Sequence, residues 1–449
     1  MKTANKNVRV SALEALETIE KNQAYSNILL NHTIKKNEIT KKDVGLLTEL
    51  IYGSLQRKMT LDFYLAPFIK NKKKMENWVL QLLRLTLYQM VYLDKIPDRA
   101  AIYEAVEIAK GRGHKGISGL VNGVLRSIQR EGLPSFETIS DPIERLSIET
   151  SHPVWLVKRW VKQLGLEKTK AMCETNLIAP LQTARVNLTK TSKENCIQLL
   201  QEEGFQVEES TIIPVAIKCL KGNLAHSSAF KEGLLTIQDE SSMLVSYALN
   251  LEKGNRVLDA CAAPGGKSTH IAEKLSHTGQ VISLDLHDHK VKLISENADR
   301  LGLSNIDVKS LDARKVQEYF QKEEFDRILV DAPCSGLGVM RRKPDMKYTK
   351  KEQDVKQLHS VQLNILQAVA PLMKKGGILV YSTCTVDKEE NQGVIDSFLA
   401  ENPDFYGDET LKERMPKAIQ ALVDGFDLQV LPQDFGSDGF YIACLRKKG

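Results

Sequence analysis

Apolar positions in the first third of the chain recur at helical spacing. Val10, Leu13, Leu16 and Ile19 fall on one face, as do Leu47, Leu50, Ile51 and Leu55, so this region reads as all helix. The run WVLQLLRLTLYQMVYL (Trp78 to Leu93) is apolar nearly all round. A helix without a polar face is expected at the centre, enclosed by its neighbours. Asp98, after Pro97, is expected to cap the helix carrying Ile102, Val106 and Ala109. Gly116, Gly119 and Gly123 in the next helix either permit close packing or simply weaken it.

The polar stretch EGLPSFETISDPIE closes this region near residue 140, and the pattern then changes. LQTARVNL alternates like a strand, Thr191 to Glu194 reads as a T-x-x-E capping box, and VAIKCL reads as a second strand. Residues 141–234 are therefore expected to form a small α+β module of βαβ type. From residue 235 the strands RVLDA, QVISLDL, IDVKSL, DRILVDA and GILVYSTC alternate with the helical patterns STHIAEKL, HKVKLISENADRL and QLNILQAVAPLM. Short apolar strands separated by helices specify an α/β fold with a doubly wound parallel sheet, covered on both faces. The expected division is thus 1–140, 141–234 and 235–449, as suits a chain of 449 residues, too long for one core.

Charge adds one contrast. The net charge is only +5, yet residues 1–140 hold 22 Lys and Arg against 14 Asp and Glu. All of the positive excess lies in the helical region, which marks either solvated helix faces or a docking surface for a polyanion such as RNA. The seven cysteines are odd in number and include no CxxC pair, which argues against a disulfide framework and against a metal site. With no apolar block of signal-peptide or membrane-span length, the expected location is the cytoplasm, with no membrane partner.

Ligands of such sheets sit at the carboxyl ends of the strands. There the first strand of the third region runs into DACAAPGGKS, where Gly265 and Gly266 let backbone approach a ligand at a helix start. The run resembles a phosphate-binding loop, G-x-x-x-x-G-K-[ST], but Cys261 stands where the first glycine belongs and Pro264 stiffens the loop. Acidic strand ends favour another ligand. Asp285 closes the second strand, 19 residues after Gly266, where a carboxylate accepts hydrogen bonds from ribose hydroxyls. Asp312 ends the third strand, beside the place for an adenine, and Asp331 ends the fourth. For one Asp, capping the next helix is the commoner role; three at successive strand ends suit a cofactor with a ribose, an adenine and a cationic end. S-adenosyl-L-methionine meets that description, and a triphosphate would be repelled.

Cys334 follows Asp331-Ala332-Pro333, and Cys384 ends the fifth strand. On neighbouring strands, both thiols would face one crevice. A thiolate adding to carbon 6 of cytosine makes carbon 5 nucleophilic enough to take a methyl group, whereas methylation of an exocyclic nitrogen needs no thiol. Asp331 could hydrogen-bond the base at N3 and the amino group.

The words LDACAAPGGKS, LVDAPCSGLGVMRRKPD, YSTCTVDKEEN and DGFYIACL together resemble the RNA 5-methylcytosine methyltransferases of the NOL/NOP/Sun type, over about residues 230–449. SHPVWLV, ARVNL and GLLTIQDESSMLV, behind a helical region similar to the antitermination protein NusB, extend the resemblance to bacterial members that act on 16S ribosomal RNA. It implies a Rossmann-like methyltransferase sheet with Cys384 as nucleophile and Cys334 in product release. It also implies a cofactor loop of Cys261, Ala262, Ala263, Pro264, Gly265, Gly266 and Lys267, with Asp285, Asp312 and Asp331 following. The implied partner is 16S rRNA, free or early in assembly, bound by a monomer. The basic loop with Arg341, Arg342 and Lys343 reads as a grip on phosphates near the target or as a mobile solvated loop. Open alternatives are the same chemistry on tRNA, a non-catalytic RNA-binding or antitermination factor, and an ATPase.

Overall fold

In a computed structural model that describes residues 7–22, 26–70 and 75–449, apart from the side chain of Asn27, the chain forms two compact units. The first comprises Met1–Ile178 together with Met340–Lys350; the second comprises Ala179–Val339 and Lys351–Gly449. The first contact boundary therefore falls after Ile178. An eleven-residue segment, flanked on both sides by sequence of the second unit, joins the helical unit.

The described part of the first unit is helical. The helices Val8–Asn22, Val44–Gln56, Asp98–Arg112 and Lys115–Glu131 bury their apolar faces in one core with the helix Asn77–Tyr92. Every residue of that last helix from Trp78 to Gln89 is buried, as its all-round apolar sequence requires. Its one charge, Arg84, forms two parallel bonds to Asp62 at 2.8 and 2.7 Å. Asp98 stands one place inside its helix, with Pro97 at the cap position. A Cβ at Gly119 or Gly123 would meet nothing within 4 Å, so those glycines serve no close packing. Gly119→Ala, on an exposed helix surface, is accordingly expected to stabilise the protein by about 1 kcal/mol, read as a higher denaturation midpoint.

In the second unit, β1 (Gln182–Val186), β2 (Gln206–Glu209), β3 (Ala216–Lys221) and β4 (Leu235–Ile237) make a small sheet in the order β2-β3-β1-β4. The helix Lys193–Glu202 connects β1 to β2, but β3 returns between them, antiparallel to both. The expected βαβ unit is therefore split. The helix cap is Ser192, whose hydroxyl accepts the Asn195 N–H at 3.2 Å, one residue later than the box read from Thr191.

The large sheet contains β5 (Arg256–Asp259), β6 (Gln280–Asp285), β7 (Ile306–Ser310), β8 (Phe325–Asp331) and β9 (Met373–Thr383), all parallel, in the order β7-β6-β5-β8-β9. Successive residues face opposite sides and both sides are covered: Val257, Val281, Leu329 and Val380 enter one core, Leu258, Ile282, Ile328 and Leu379 the other. Four further strands extend the sheet antiparallel: β10 (Phe405–Gly407), β11 (Val423–Asp424), β12 (Asp427–Val430) and β13 (Phe440–Lys447). β13 covers β9, with Tyr441 opposite Thr383. Strand order reverses about β5, which places a ligand crevice at the carboxyl ends of β5 and its neighbours.

Candidate active site

Register brings the thiols together. β8 and β9 align Asp331 with Ser382, and the Ala332 N–H reaches the Ser382 carbonyl at 2.9 Å. The chain leaves both strands at the same height, so Cys334 and Cys384 meet with their sulfurs 3.3 Å apart. The turn after Cys334 is held from the other side, where Gly338 donates to the Cys384 carbonyl and accepts from Gly439, at 3.0 and 2.9 Å. A Cβ on Gly338 would lie 2.0 Å from the Gly439 oxygen, so only glycine fits there.

Both cysteines and Cys261 are half-buried, whereas Cys173, Cys196, Cys219 and Cys444 are buried. Cys261 and Cys384 line a cleft of about 240 Å³ with Asp259, Ala262, Ala263, Pro264, Gly266, Lys267 and Asp331. The loop after β5 is pinned to its neighbours, Ala260 N–H to Leu329 and Ala262 N–H to Leu284. Gly265 opens the next helix at φ +101°, and a Cβ there would press on Ile294 at 3.1 Å.

Lys267 and Asp331 form an ion pair of 2.7 Å, and Ser382 donates to the other Asp331 oxygen at 2.8 Å. Burial works against the Lys267 charge, but Asp331 and the nearby Cys384 sulfur hold its ammonium above the usual range. The contact with Cys384, then burial, pushes the Cys334 thiol well up, and either sulfur can be the donor of the pair. Burial also raises the Cys261 thiol, helped by Asp259.

The expected row of carboxylates is present, each with a partner. Asp285 ends β6, accepts the His287 N–H at 3.1 Å and has Lys290 at 3.9 Å. Asp312 lies two residues beyond β7, caps the turn Ala313–Glu318 and pairs with Arg314 at 2.6 Å. The carboxylate that sequence reasoning missed is Asp259, the last residue of β5. It is fully buried, one oxygen accepts the Ser268 hydroxyl at 2.6 Å, and the other has no partner among the described residues. Burial pushes its carboxyl up to about 7. The rule that selected Asp285 and Asp331 also selects Asp259, because all three close a strand.

The basic segment after the Cys334 turn is taken into the first unit and is not a solvated loop. Arg341 is buried with its Nε on the Ile178 carbonyl at 2.9 Å; Arg342 and Lys343 are half-buried. Lys347 is fully buried, donates to the Gln56 carbonyl at 3.2 Å, and is brought down to about 7 by burial.

Residues 246–446 match the family described as 16S rRNA methyltransferase RsmB/F. Residues 6–130 match the NusB family, and residues 152–224 the ferredoxin-like domain of RsmF/B-like methyltransferases. Over 442 residues the chain is 58% identical to the probable ribosomal RNA small subunit methyltransferase B of Bacillus subtilis (strain 168), covering 98% of this chain and 99% of that one. The chain belongs to the RsmB/F methyltransferase family. The ribosomal RNA small subunit methyltransferase B of Klebsiella pneumoniae is 34% identical over 99% of both chains. The solved structure of PH0851 matches over all of both chains with a TM-score of 0.80 at 25% identity. The resemblance read from the motif words is thereby met, including its NusB-like part and its Rossmann-like sheet.

Two more features of this RsmB/F chain were not legible as function. Arg185 on β1 is 1% exposed and uses every guanidinium N–H: two on Glu273 at 2.9 Å, and one each on Thr269 (3.0 Å), the Gly266 carbonyl (2.9 Å) and Gln238. It therefore braces the helix start that follows Gly265. In the stretch Asp387 to Asn391, Lys388 is exposed, yet Asp387, Glu390 and Asn391 are all fully buried. Among the described residues no helix is long and apolar enough to cross a membrane, and no cluster of His, Cys, Asp or Glu could hold a metal ion.

Proposed function

We propose that the protein transfers a methyl group from S-adenosyl-L-methionine to carbon 5 of a cytosine in 16S rRNA, through a covalent bond between Cys384 and carbon 6. The observation that carries this reading is the pair of sulfurs 3.3 Å apart beside the Lys267–Asp331 ion pair. Thiols so placed suit carbon methylation, and a binding protein needs neither. The cleft fits the cofactor. Asp259 offers a buried carboxylate oxygen without a partner, as a cationic amino-acid end requires, and Gly265, where a Cβ would strike Ile294, lets the 261–267 loop pack tightly at the cleft edge. Asp285 would take the ribose hydroxyls and Asp312 would lie on the adenine side. When bound, S-adenosyl-L-methionine supplies a methyl group made electrophilic by its sulfonium.

The residues then divide the work. Cys384, with Lys267 on one side and the Cys334 S–H on the other, carries the negative charge and adds to carbon 6. As electrons move into the ring, the Lys267 ammonium donates to the pyrimidine and Asp331 accepts from the exocyclic amine. Carbon 5 takes the methyl group and then gives up its proton to a water molecule; the electrons left behind restore the carbon 5–carbon 6 double bond, the bond to carbon 6 returns its pair to the Cys384 sulfur, and Cys334 assists that release. A base must leave its stack to reach the cleft, so the substrate is a loop or rRNA early in assembly. The positive helical region, acting in the cytoplasm with the small module, would supply affinity, with Arg342 and Lys343 as further phosphate contacts. The printed names of the relatives, ribosomal RNA small subunit methyltransferase B, support the choice of RNA.

The test is a denaturing gel of wild type, Cys334→Ala and Cys384→Ala after incubation with unmodified 16S rRNA and radiolabelled S-adenosyl-L-methionine. A labelled protein–RNA adduct should accumulate with Cys334→Ala alone. Accumulation with Cys384→Ala instead exchanges the two roles, and no label in any sample removes the reading.

A further inference from the structure

Next to the two thiols lies a set of fully buried polar side chains that the reaction steps leave unused: Ser335, Gln362, Thr385 and Glu390. One Glu390 oxygen accepts the Ser335 N–H at 2.8 Å and Gln362 Nε2 at 3.0 Å, and the other accepts the Ser335 hydroxyl. Gln362 Nε2 also donates to the Pro333 carbonyl at 3.0 Å. Both chain neighbours of Cys334 are therefore tied to one carboxylate. The neighbour of Cys384 joins them, for Thr385 Oγ1 lies 3.0 Å from Ser335 Oγ. The Ser335 hydroxyl hydrogen is used on Glu390, so Thr385 is the donor to Ser335, and Thr385 in turn accepts the Asp387 N–H at 3.3 Å.

A carboxylate buried without a cation is costly to keep, and among the described residues no Lys or Arg pairs with Glu390. The three donors aimed at its two oxygens suit the ionised form. Its charge stands beside the Cys334 turn, where it opposes a second negative charge on that sulfur. On the far side of the pair, Lys267 favours a negative Cys384. We propose that Glu390 is a positioning residue for the thiol pair: it locks the Cys334 turn against the Cys384 turn and keeps the shared proton on Cys334. The assignment deepens the reading of Cys384 as nucleophile and rests on it. Burial raises the Glu390 carboxyl, and Glu390 is among the groups that hold the Cys334 thiol up. The other titratable groups facing this set are Tyr381, Asp387, Asp331 and Cys261.

The test is alkylation of the full-length enzyme by iodoacetamide across a pH series, with each cysteine quantified by peptide mass spectrometry. In wild type, Cys384 should react at lower pH than Cys334. In Glu390→Gln, which keeps the size and most hydrogen bonds, the Cys334 midpoint should fall by about one pH unit or more, and the preference for Cys384 should shrink. A merely structural role would change the labelling of both thiols without moving that midpoint, and this result overturns the proposal. If Glu390→Gln does not fold, the wild-type profile still decides, because Cys334 reacting at lower pH than Cys384 also overturns it. A wild type that labels as expected but forms no adduct with RNA defeats the proposed function and leaves the proton on Cys334.

Discussion

With Cys384 replaced by alanine, methyl transfer to 16S rRNA is expected to fall by about four orders of magnitude or more, the scale of losing a covalent nucleophile. Binding of S-adenosyl-L-methionine should be unchanged, because the backbone turn at Gly265, the Asp259 carboxylate and Asp285 belong to other strand ends. Single-turnover rates and calorimetric titration of the cofactor measure the two separately. A rate within tenfold of wild type would show that the sulfur attacking carbon 6 is not this one. The geometry gives a reason to expect the larger loss. Cys384 has the Lys267 ammonium near it and the Cys334 sulfur 3.3 Å away, whereas burial and the surrounding carboxylates raise the Cys261 thiol in the same cleft.

The second large effect is on stability. Arg185→Ala should cost about 3–5 kcal/mol, because it removes five hydrogen bonds and leaves Glu273, 8% exposed, as a buried charge without its partner. Arg185→Lys should recover little, since a single ammonium cannot bond Glu273, Thr269, Gln238 and the Gly266 carbonyl together. Urea unfolding would give the stability. Cofactor titration on the surviving folded protein should show weaker binding, because the Gly266 carbonyl belongs to the helix start that lines the cleft. A loss below 1 kcal/mol would mean that water replaces the guanidinium easily and that the brace is dispensable.

The central parallel strands were legible because each is a short apolar run, and those runs are buried on both faces. The strands that escaped notice are short, such as β4 and β11, or lie in the antiparallel extension, where DGFYIACL was recognised as a motif but not as β13. Alternation in LQTARVNL predicted a strand correctly. Period-two patterning cannot say, however, that the polar side of β1, with Thr183 and Arg185, is buried too, as is Asn187 just after the strand. The same limit hid Glu390 and Asn391, since a charged run reads as solvated unless its partners are known, and these partners lie at Ser335, Gln362, Thr383 and Gln429. The cysteines were found because their strand ends could be counted from the sequence, and adjacency of β8 and β9 follows from the standard winding of such sheets.

The segment Met340–Lys350 makes this chain hard to take apart. It begins six residues after Cys334, and its Asp345 bonds Ser26 while Tyr348 reaches the Ser151 carbonyl at 3.3 Å. Any cut at a single peptide bond, after residue 140 or after Ile178, therefore leaves one fragment without a piece of its own interior and the other with Lys347 and Met346 uncovered. Grafting the helical unit onto another catalytic unit would require transplanting two stretches of sequence at once. In engineering terms the inheritable part is discontinuous, and its smaller portion lies within a few residues of Cys334.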